Sequence, residues 1–250
     1  MQFQGKTAVV TGGSSGIGLA TCRMLAAEGS AVAIHYFRGQ EAAEKLAAEL
    51  TAQGSKVMTV KADVTRRAEV MRMRDEVHQG LGKVDLLVNN AGNMLARTGV
   101  LEETEETLKN TFDLNFNSVV WVTQAFAPDM IERKWGRIVN NASLAGRTGG
   151  MWAAGSYAAS KAAVMTYTKA MAKEFGQHNI TVNGVAPGLI DTPFHVKAST
   201  GDLQRFVDNI VLKRVGTPED VGSVILFLLS DAASYMTGLT LDINAGMFMP

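Results

Sequence analysis

Short β-branched and apolar runs alternate along the chain with longer stretches in which apolar residues recur every three to four positions. Residues 7–11 open the series with successive rather than alternate apolar positions, the pattern of a strand buried on both faces. Residues 17–28 then show helical spacing, closed by Gly29. The alternation continues to the end of the chain. Strands are predicted at 31–36, 56–60, 84–89, 137–141, 180–186 and 239–243. Helices are predicted at 41–52 (closed by Gly54), 66–79, 105–131 and 156–175, with a shorter one opening near Pro218, a residue suited to a first helical turn. The section from Pro187 to about Thr217 reads as loop. This order predicts an α/β fold in which one doubly wound parallel sheet carries helices on both faces. No linker, repeat or low-complexity tract divides the chain, so residues 1–250 are expected to form a single domain, with a substrate-side flap at about 189–215. Ligands of such sheets bind beyond the carboxyl ends of the strands, where the strand order reverses. The loops after Thr11, Tyr36, Val60, Asn89, Asn141 and Ala186 are therefore where chemistry is expected.

Composition narrows the function classes. With 46% hydrophobic and 19% charged residues the chain has ample material for a core, which excludes disorder. Twenty-four basic residues balance 24 acidic ones, and Arg66-Arg67 and Arg133-Lys134 are pairs and no more, so nucleic acid and membrane surfaces are not expected partners. The apolar stretch at 224–229 is far shorter than the roughly 20 residues of a bilayer span, and MQFQGKTAVV has no signal-peptide pattern. A cytoplasmic protein acting on a small molecule is expected. The lone Cys22 excludes an internal disulfide and any multi-cysteine metal site; it reads as a core residue, and no metal is expected.

The first candidate loop is Thr11-Gly12-Gly13-Ser14-Ser15-Gly16-Ile17-Gly18, between a strand and a helix. Gly12 permits a tight turn, and Gly16 and Gly18 let backbone approach a pyrophosphate. The helix N-terminus adds free N–H groups and partial positive charge. Its spacing, T-G-x-x-x-G-x-G, differs from the G-x-G-x-x-G of two-domain dehydrogenases. Further along stand Asp63-Val64, Asn89-Asn90-Ala91-Gly92, Asn115, Ser143, Tyr157-Ala158-Ala159-Ser160-Lys161, Pro187-Gly188 and Thr192. On this ordered set, spread through the whole chain, the sequence resembles the short-chain dehydrogenase/reductase family in its compact single-domain branch. The resemblance implies a Rossmann fold, a nicotinamide cofactor and a homotetramer.

Reduction of a carbonyl needs a hydride and a proton on the oxygen. Tyr157 suits the proton donor, although a phenol ordinarily titrates near roughly 10. Lys161 lies four residues on, one turn away on the same helix face, where an ammonium favours tyrosinate. Ser143 ends a strand facing the same cleft and suits a polarising hydrogen-bond donor. The resemblance further implies that Lys161 holds the nicotinamide ribose and that Asn115 supports a water. It also implies that Asp63 and Val64 lie at the adenine, and that Asn90, Ala91 and Gly92 pass the adenosine ribose. Pro187, Gly188, Ile190 and Thr192 are expected to flank the nicotinamide, and Gly12, Ser14, Ser15, Gly16, Ile17 and Gly18 to cradle the phosphates.

Sites that prefer NAD place an acid after the second strand. Here that stretch is Tyr36-Phe37-Arg38-Gly39-Gln40, with no acid before Glu41. Arg38 has the planar donors that suit a 2′-phosphate, so NADP(H) is preferred over NAD(H). The substrate pocket is expected from residues 93–98, 144–152 and 189–210. Met94, Leu95, Met151, Trp152 and Phe194 are its apolar candidates; Arg97, Arg147, His195 and Lys197 suit an anion. A keto-acid, sugar or sugar acid is the expected substrate, with a 3-oxoacyl thioester of a carrier protein or coenzyme A as the alternative. A nucleotide sensor without catalysis is the reading from another class, opposed by intact Ser143, Tyr157 and Lys161. The apolar ending, residues 243–250, packs either at a subunit interface or inside its own subunit.

Overall fold

The structure, a computed structural model, describes residues 1–151, 153–193, 207–208 and 210–249. Its first half runs β1 (Thr7–Val10), α1 (Gly16–Ala27), β2 (Ala31–Tyr36), α2 (Gln40–Ala52), β3 (Val57–Lys61), α3 (Arg67–Leu81) and β4 (Leu86–Asn89). There follow α4 (Glu105–Phe112), a π-helical turn at Asp113–Asn117, α5 (Ser118–Arg133), β5 (Gly136–Asn141), α6 (Ala145–Thr148) and α7 (Gly155–Phe175). The chain ends through β6 (Ile180–Pro187), α8 (Pro218–Leu229) and β7 (Thr240–Ile243). The seven strands form one sheet in the order β3-β2-β1-β4-β5-β6-β7, every pair parallel. Winding runs outward one way from β1 to β3 and the other way from β4 to β7. The reversal falls between β1 and β4, and a crevice opens there beyond the strand ends.

Successive strand residues supply opposite cores, which is why the strands are apolar without alternation. Val9, Ala33, Leu87, Ile138 and Val182 pack with Val70 and Met73 of α3, Val122 and Phe126 of α5, and Val164 of α7. Their neighbours Val10, Ile34, Val88, Val139 and Val185 pack on the other face with Leu25 of α1, Leu46 of α2 and Ile225 of α8. Cys22 lies fully buried in this second core, and desolvation pushes its thiol far above the ordinary value, as for an inert core residue.

Three local features depart from the sequence reading. The predicted helix 105–131 is not one regular helix: it widens into the π turn, where Asn115 is completely buried. Its amide reaches out of the helix to the backbone of Asn93, a partner that helical periodicity does not reveal. The four-residue helix α6 is too short to show any period. In the section read as loop, Ile190 bridges Gly216 in parallel fashion. Helix α8 begins where expected, with Pro218 in its first turn and a reciprocal cap between Thr217 and Asp220. No helix among the described residues is long and apolar enough to cross a membrane.

Candidate active site

The crevice at the reversal is a cleft of about 460 Å³. The β1–α1 loop forms one wall, contributing Gly12, Ser15, Gly16 and Ile17. A hydrogen-bond set fixes this loop in space. Thr11 Oγ1 accepts the N–H groups of Asn90 and Ala91, both at 2.9 Å, and ties β1 to the end of β4. Gly12 N–H donates to His35 Nδ1 at 3.0 Å, and His35 Nε2 lies 3.0 Å from the Ala62 carbonyl, to which it donates. Burial keeps the ring neutral, pushing its pKa down to about 4 against the bond to the Ala62 carbonyl, which pulls the other way. Asn90 Nδ2 donates to the carbonyls of Thr11 and Gly12 at 2.9 and 3.2 Å. Gly18 packs so tightly on the loop that a Cβ there would stand 2.2 Å from the Gly12 carbonyl oxygen. Ser15 precedes α1 without capping it by its side chain, and no acid occupies the first turn. The first N–H groups of that helix are thus left for an anion.

Asn90, Ala91 and Gly92 line the floor of the cleft. Gly92 is the point where three elements converge: a Cβ there would lie 2.8 Å from Asn115 Oδ1 and 3.0 Å from Lys161 Nζ. Asn115 Oδ1 accepts from Asn93 N–H at 3.0 Å, and Nδ2 donates to the carbonyls of Asn93 (2.8 Å) and Thr111 (3.0 Å). Both amide protons are therefore committed, and Asn115 braces the 91–93 segment.

Ser143, Tyr157 and Lys161 meet in the same cleft. Ser143 follows β5, and its Oγ accepts from Ala145 N–H at 3.1 Å, which pins the first turn of α6. A side-chain hydrogen bond joins it to Tyr157. Lys161 is buried and donates from Nζ to the Asn141 carbonyl at 2.8 Å. Burial pushes the Tyr157 phenol up to about 12, with the Ser143 bond pulling the other way, and pushes the Lys161 ammonium down to about 8. Lys161 Nζ stands 5.9 Å from the Tyr157 ring centre and is spent on a carbonyl, so desolvation outweighs attraction between the two.

On the far wall, Pro187, Gly188, Ile190 and Thr192 line the cleft. Gly188 N–H bonds to the Ile243 carbonyl at 2.9 Å, tying this segment to β7. The remaining candidates stand apart from the lining. Tyr36 and Val64 are buried core side chains, so only their backbone is open to a ligand. Asp63 Oδ1 already accepts from Thr65 N–H and Oγ1 (3.0 and 2.7 Å), and Arg66 lies 3.5 Å from Oδ2. Ser14 Oγ donates to the Arg38 carbonyl at 3.3 Å. Phe37 and Arg38 are exposed beside the glycine loop, with the guanidinium 5.8 Å from the Phe37 ring centre. No carboxylate among the described residues pairs with Arg38.

The other half of the cleft is mostly apolar, lined by Met94, Leu144, Met151, Ala154, Leu189 and Met247. Met247 brings the C-terminal segment to the cleft of its own chain. Leu95 is about half exposed and outside the lining. Arg97 lines the cleft, whereas Arg147 is spent on Asp242 (3.2 Å) and the Thr240 carbonyl (2.9 Å). Trp152, Phe194, His195 and Lys197 lie outside the described residues. The sequence reading gave no role to Thr11, His35 or Asn141. Each was signalled by a polar side chain at the end of an apolar strand, the end that faces the crevice.

The arrangement fits a dinucleotide: a glycine-lined helix N-terminus lies at one end, and a lysine and a hydroxyl pair at the other. Among the described residues no group of His, Cys, Asp or Glu is arranged to hold a metal. A profile of the short chain dehydrogenase family matches residues 6–202. The chain is 37% identical to the 3-oxoacyl-[acyl-carrier-protein] reductase FabG of Aquifex aeolicus over 253 aligned positions, covering 99% of each chain. It is 39% identical to the FabG of Thermotoga maritima over 248 positions, again 99% of each. It is 38% identical to the 3-oxoacyl-[acyl-carrier-protein] reductase of Synechocystis sp. over 245, covering 98% of this chain and 97% of the relative.

Proposed function

The chain belongs to the short chain dehydrogenase family, and on that premise we propose that it reduces the 3-oxo group of an acyl thioester to a secondary alcohol with NADPH. The observation that carries this reading is the position of Tyr157, hydrogen-bonded to Ser143 and one turn from Lys161, between the glycine-loop half of the cleft and its apolar half. A nicotinamide held in this cleft would supply the hydride for the carbonyl carbon. Tyr157 delivers the proton to the carbonyl oxygen, and the Ser143 hydroxyl donates to the same oxygen and holds it in place. A phenol kept protonated by burial is poised for the reductive direction. Lys161 holds positive charge beneath the phenol and stabilises it as the proton leaves. Asn115 keeps Gly92 and Asn93 against this group.

The apolar lining favours an acyl chain and offers few partners to sugar hydroxyls, and the resemblance to 3-oxoacyl-[acyl-carrier-protein] reductases supports the same choice. With Arg147 already paired, the cationic case for a keto-acid or sugar acid rests on fewer groups. A panel of 3-oxoacyl thioesters, keto-acids and sugars, followed by NADPH oxidation, tests the substrate class. The thioesters are expected to be turned over at least tenfold more efficiently than the others; equal or better turnover of a keto-acid or sugar reverses the choice. A homotetramer suits the exposed Phe227 of α8, Tyr235, and Leu239 just before the edge strand β7.

The cofactor preference rests on Arg38, a cation without a carboxylate partner among the described residues, beside a strand end that lacks an acid. Arg38→Ala is expected to weaken NADPH about tenfold and NADH about twofold or less, as one exposed charge-assisted contact warrants. Equal losses in fluorescence titrations with the two nucleotides contradict that assignment.

Reductive turnover is expected to fall as pH rises through about 8, where Lys161 loses its proton. The sign follows from the depressed value: the ammonium is present below about 8 and absent above it. A profile of reductive kcat/KM that stays flat from about pH 7 to pH 9.5 removes the need for a charged Lys161.

A further inference from the structure

Asn141 is the last residue of β5 and is among the residues that line the cleft, as are Gly12 of the glycine loop and Lys161. The direction of its amide is dictated by its neighbours. The carbonyls of Thr11 and Gly12 only accept, so Asn90 must turn Nδ2 towards them. That leaves Asn90 Oδ1 on the opposite side, where only a donor can meet it. Asn141 Nδ2 does so at 2.9 Å. The Asn141 Oδ1 atom is thereby committed as an acceptor, and it is buried without a hydrogen-bond partner among the described residues. The main-chain carbonyl of the same residue receives Lys161 Nζ at 2.8 Å. One residue thus joins the glycine loop, through Asn90, to the strand end that seats Lys161, and it keeps one acceptor unspent. A buried acceptor left unmatched is costly, which marks this atom as one that a donor completes.

We propose that Asn141 is a positioning residue of the dinucleotide site: its Nδ2 holds Asn90 against the glycine loop, while its Oδ1 accepts a hydrogen bond from a donor on the bound cofactor. The inference rests on the nicotinamide-cofactor reading above. Asn141→Leu keeps the size of the side chain and removes both functions. Asn141→Thr suits a strand end and keeps a hydroxyl. NADPH is titrated by fluorescence against the intact parent protein and both variants, and urea unfolding of each is followed without cofactor. The leucine variant is expected to raise the NADPH Kd about tenfold, and the threonine variant less, on the scale of one or two lost hydrogen bonds. A merely structural role would lower the unfolding midpoint and leave Kd unmoved, so folded variants that bind within twofold of the parent overturn the proposal. If the leucine variant does not fold, the threonine variant decides on the same twofold boundary. A parent that fails to bind NADPH removes the cofactor reading and this inference with it. A parent that binds beside unaltered variants removes this inference alone.

Discussion

Tyr157→Phe is expected to lower reductive turnover about a thousandfold and to change NADPH affinity by no more than about twofold. The phenol is buried and hydrogen-bonded to Ser143, and it takes no part in the hydrogen bonds that hold the glycine loop to Asn90 and His35. What is lost is the proton source at the carbonyl oxygen, an interaction realised in the transition state rather than on cofactor binding. The phenylalanine ring fills the same space, so no cavity confuses the result. Steady-state kinetics beside a binding titration separate the two quantities. Retention of more than about a tenth of the parent turnover would place the proton donor elsewhere in the cleft.

The second large effect is expected at the opposite end. Gly18→Ala adds a Cβ that would stand 2.2 Å from the Gly12 carbonyl oxygen and 2.6 Å from Asn90 Nδ2. The oxygen is backbone, so helix α1 must move off the loop instead of a side chain turning aside. A displacement on the order of 1 Å takes the first N–H groups of α1 out of hydrogen-bonding reach of a phosphate, and the loss of two or more charge-assisted bonds is expected to lower NADPH affinity about a hundredfold. The same overpacking is expected to cost about 1–3 kcal/mol of stability, read from the urea midpoint. Affinity within about threefold of the parent, in a folded variant, would show that the close contact at Gly18 does not set the loop's position.

Much of this was legible in the sequence because the relevant signals are local and periodic. Continuous apolar runs such as TAVV, separated by helical spacing, specify strands buried on both faces, and Val9 and Val10 do enter opposite cores. Ordered motifs placed Ser143, Tyr157 and Lys161 at strand ends and on a helix that converge. The misses are of another kind. The π turn at Asp113–Asn117 depends on Asn115 reaching a backbone 22 residues away, and no periodicity encodes that partner. That the side chains of Tyr36 and Val64 turn into the cores, leaving only their backbone for a ligand, was not legible, because an apolar side chain near a strand end has both a core and a crevice beside it. The pairing of Arg147 with Asp242 spans 95 residues and appears only once β7 lies beside β6. The balance at Tyr157 was not legible either, because spacing along a helix fixes a distance but not a solvent environment. Burial decides both ionisations there.

Transfer of a labelled hydride tests the central claim most directly. NADPH deuterated at the transferable position of its nicotinamide ring is incubated with the protein and a short 3-oxoacyl thioester, and the product is examined by mass spectrometry. One deuterium on the new hydroxyl-bearing carbon, with stoichiometric oxidation of NADPH, is the result the account predicts. No oxidation of NADPH, with the thioester or with any carbonyl compound of the panel, would contradict it and leave the cleft without the reductase chemistry assigned to Ser143, Tyr157 and Lys161.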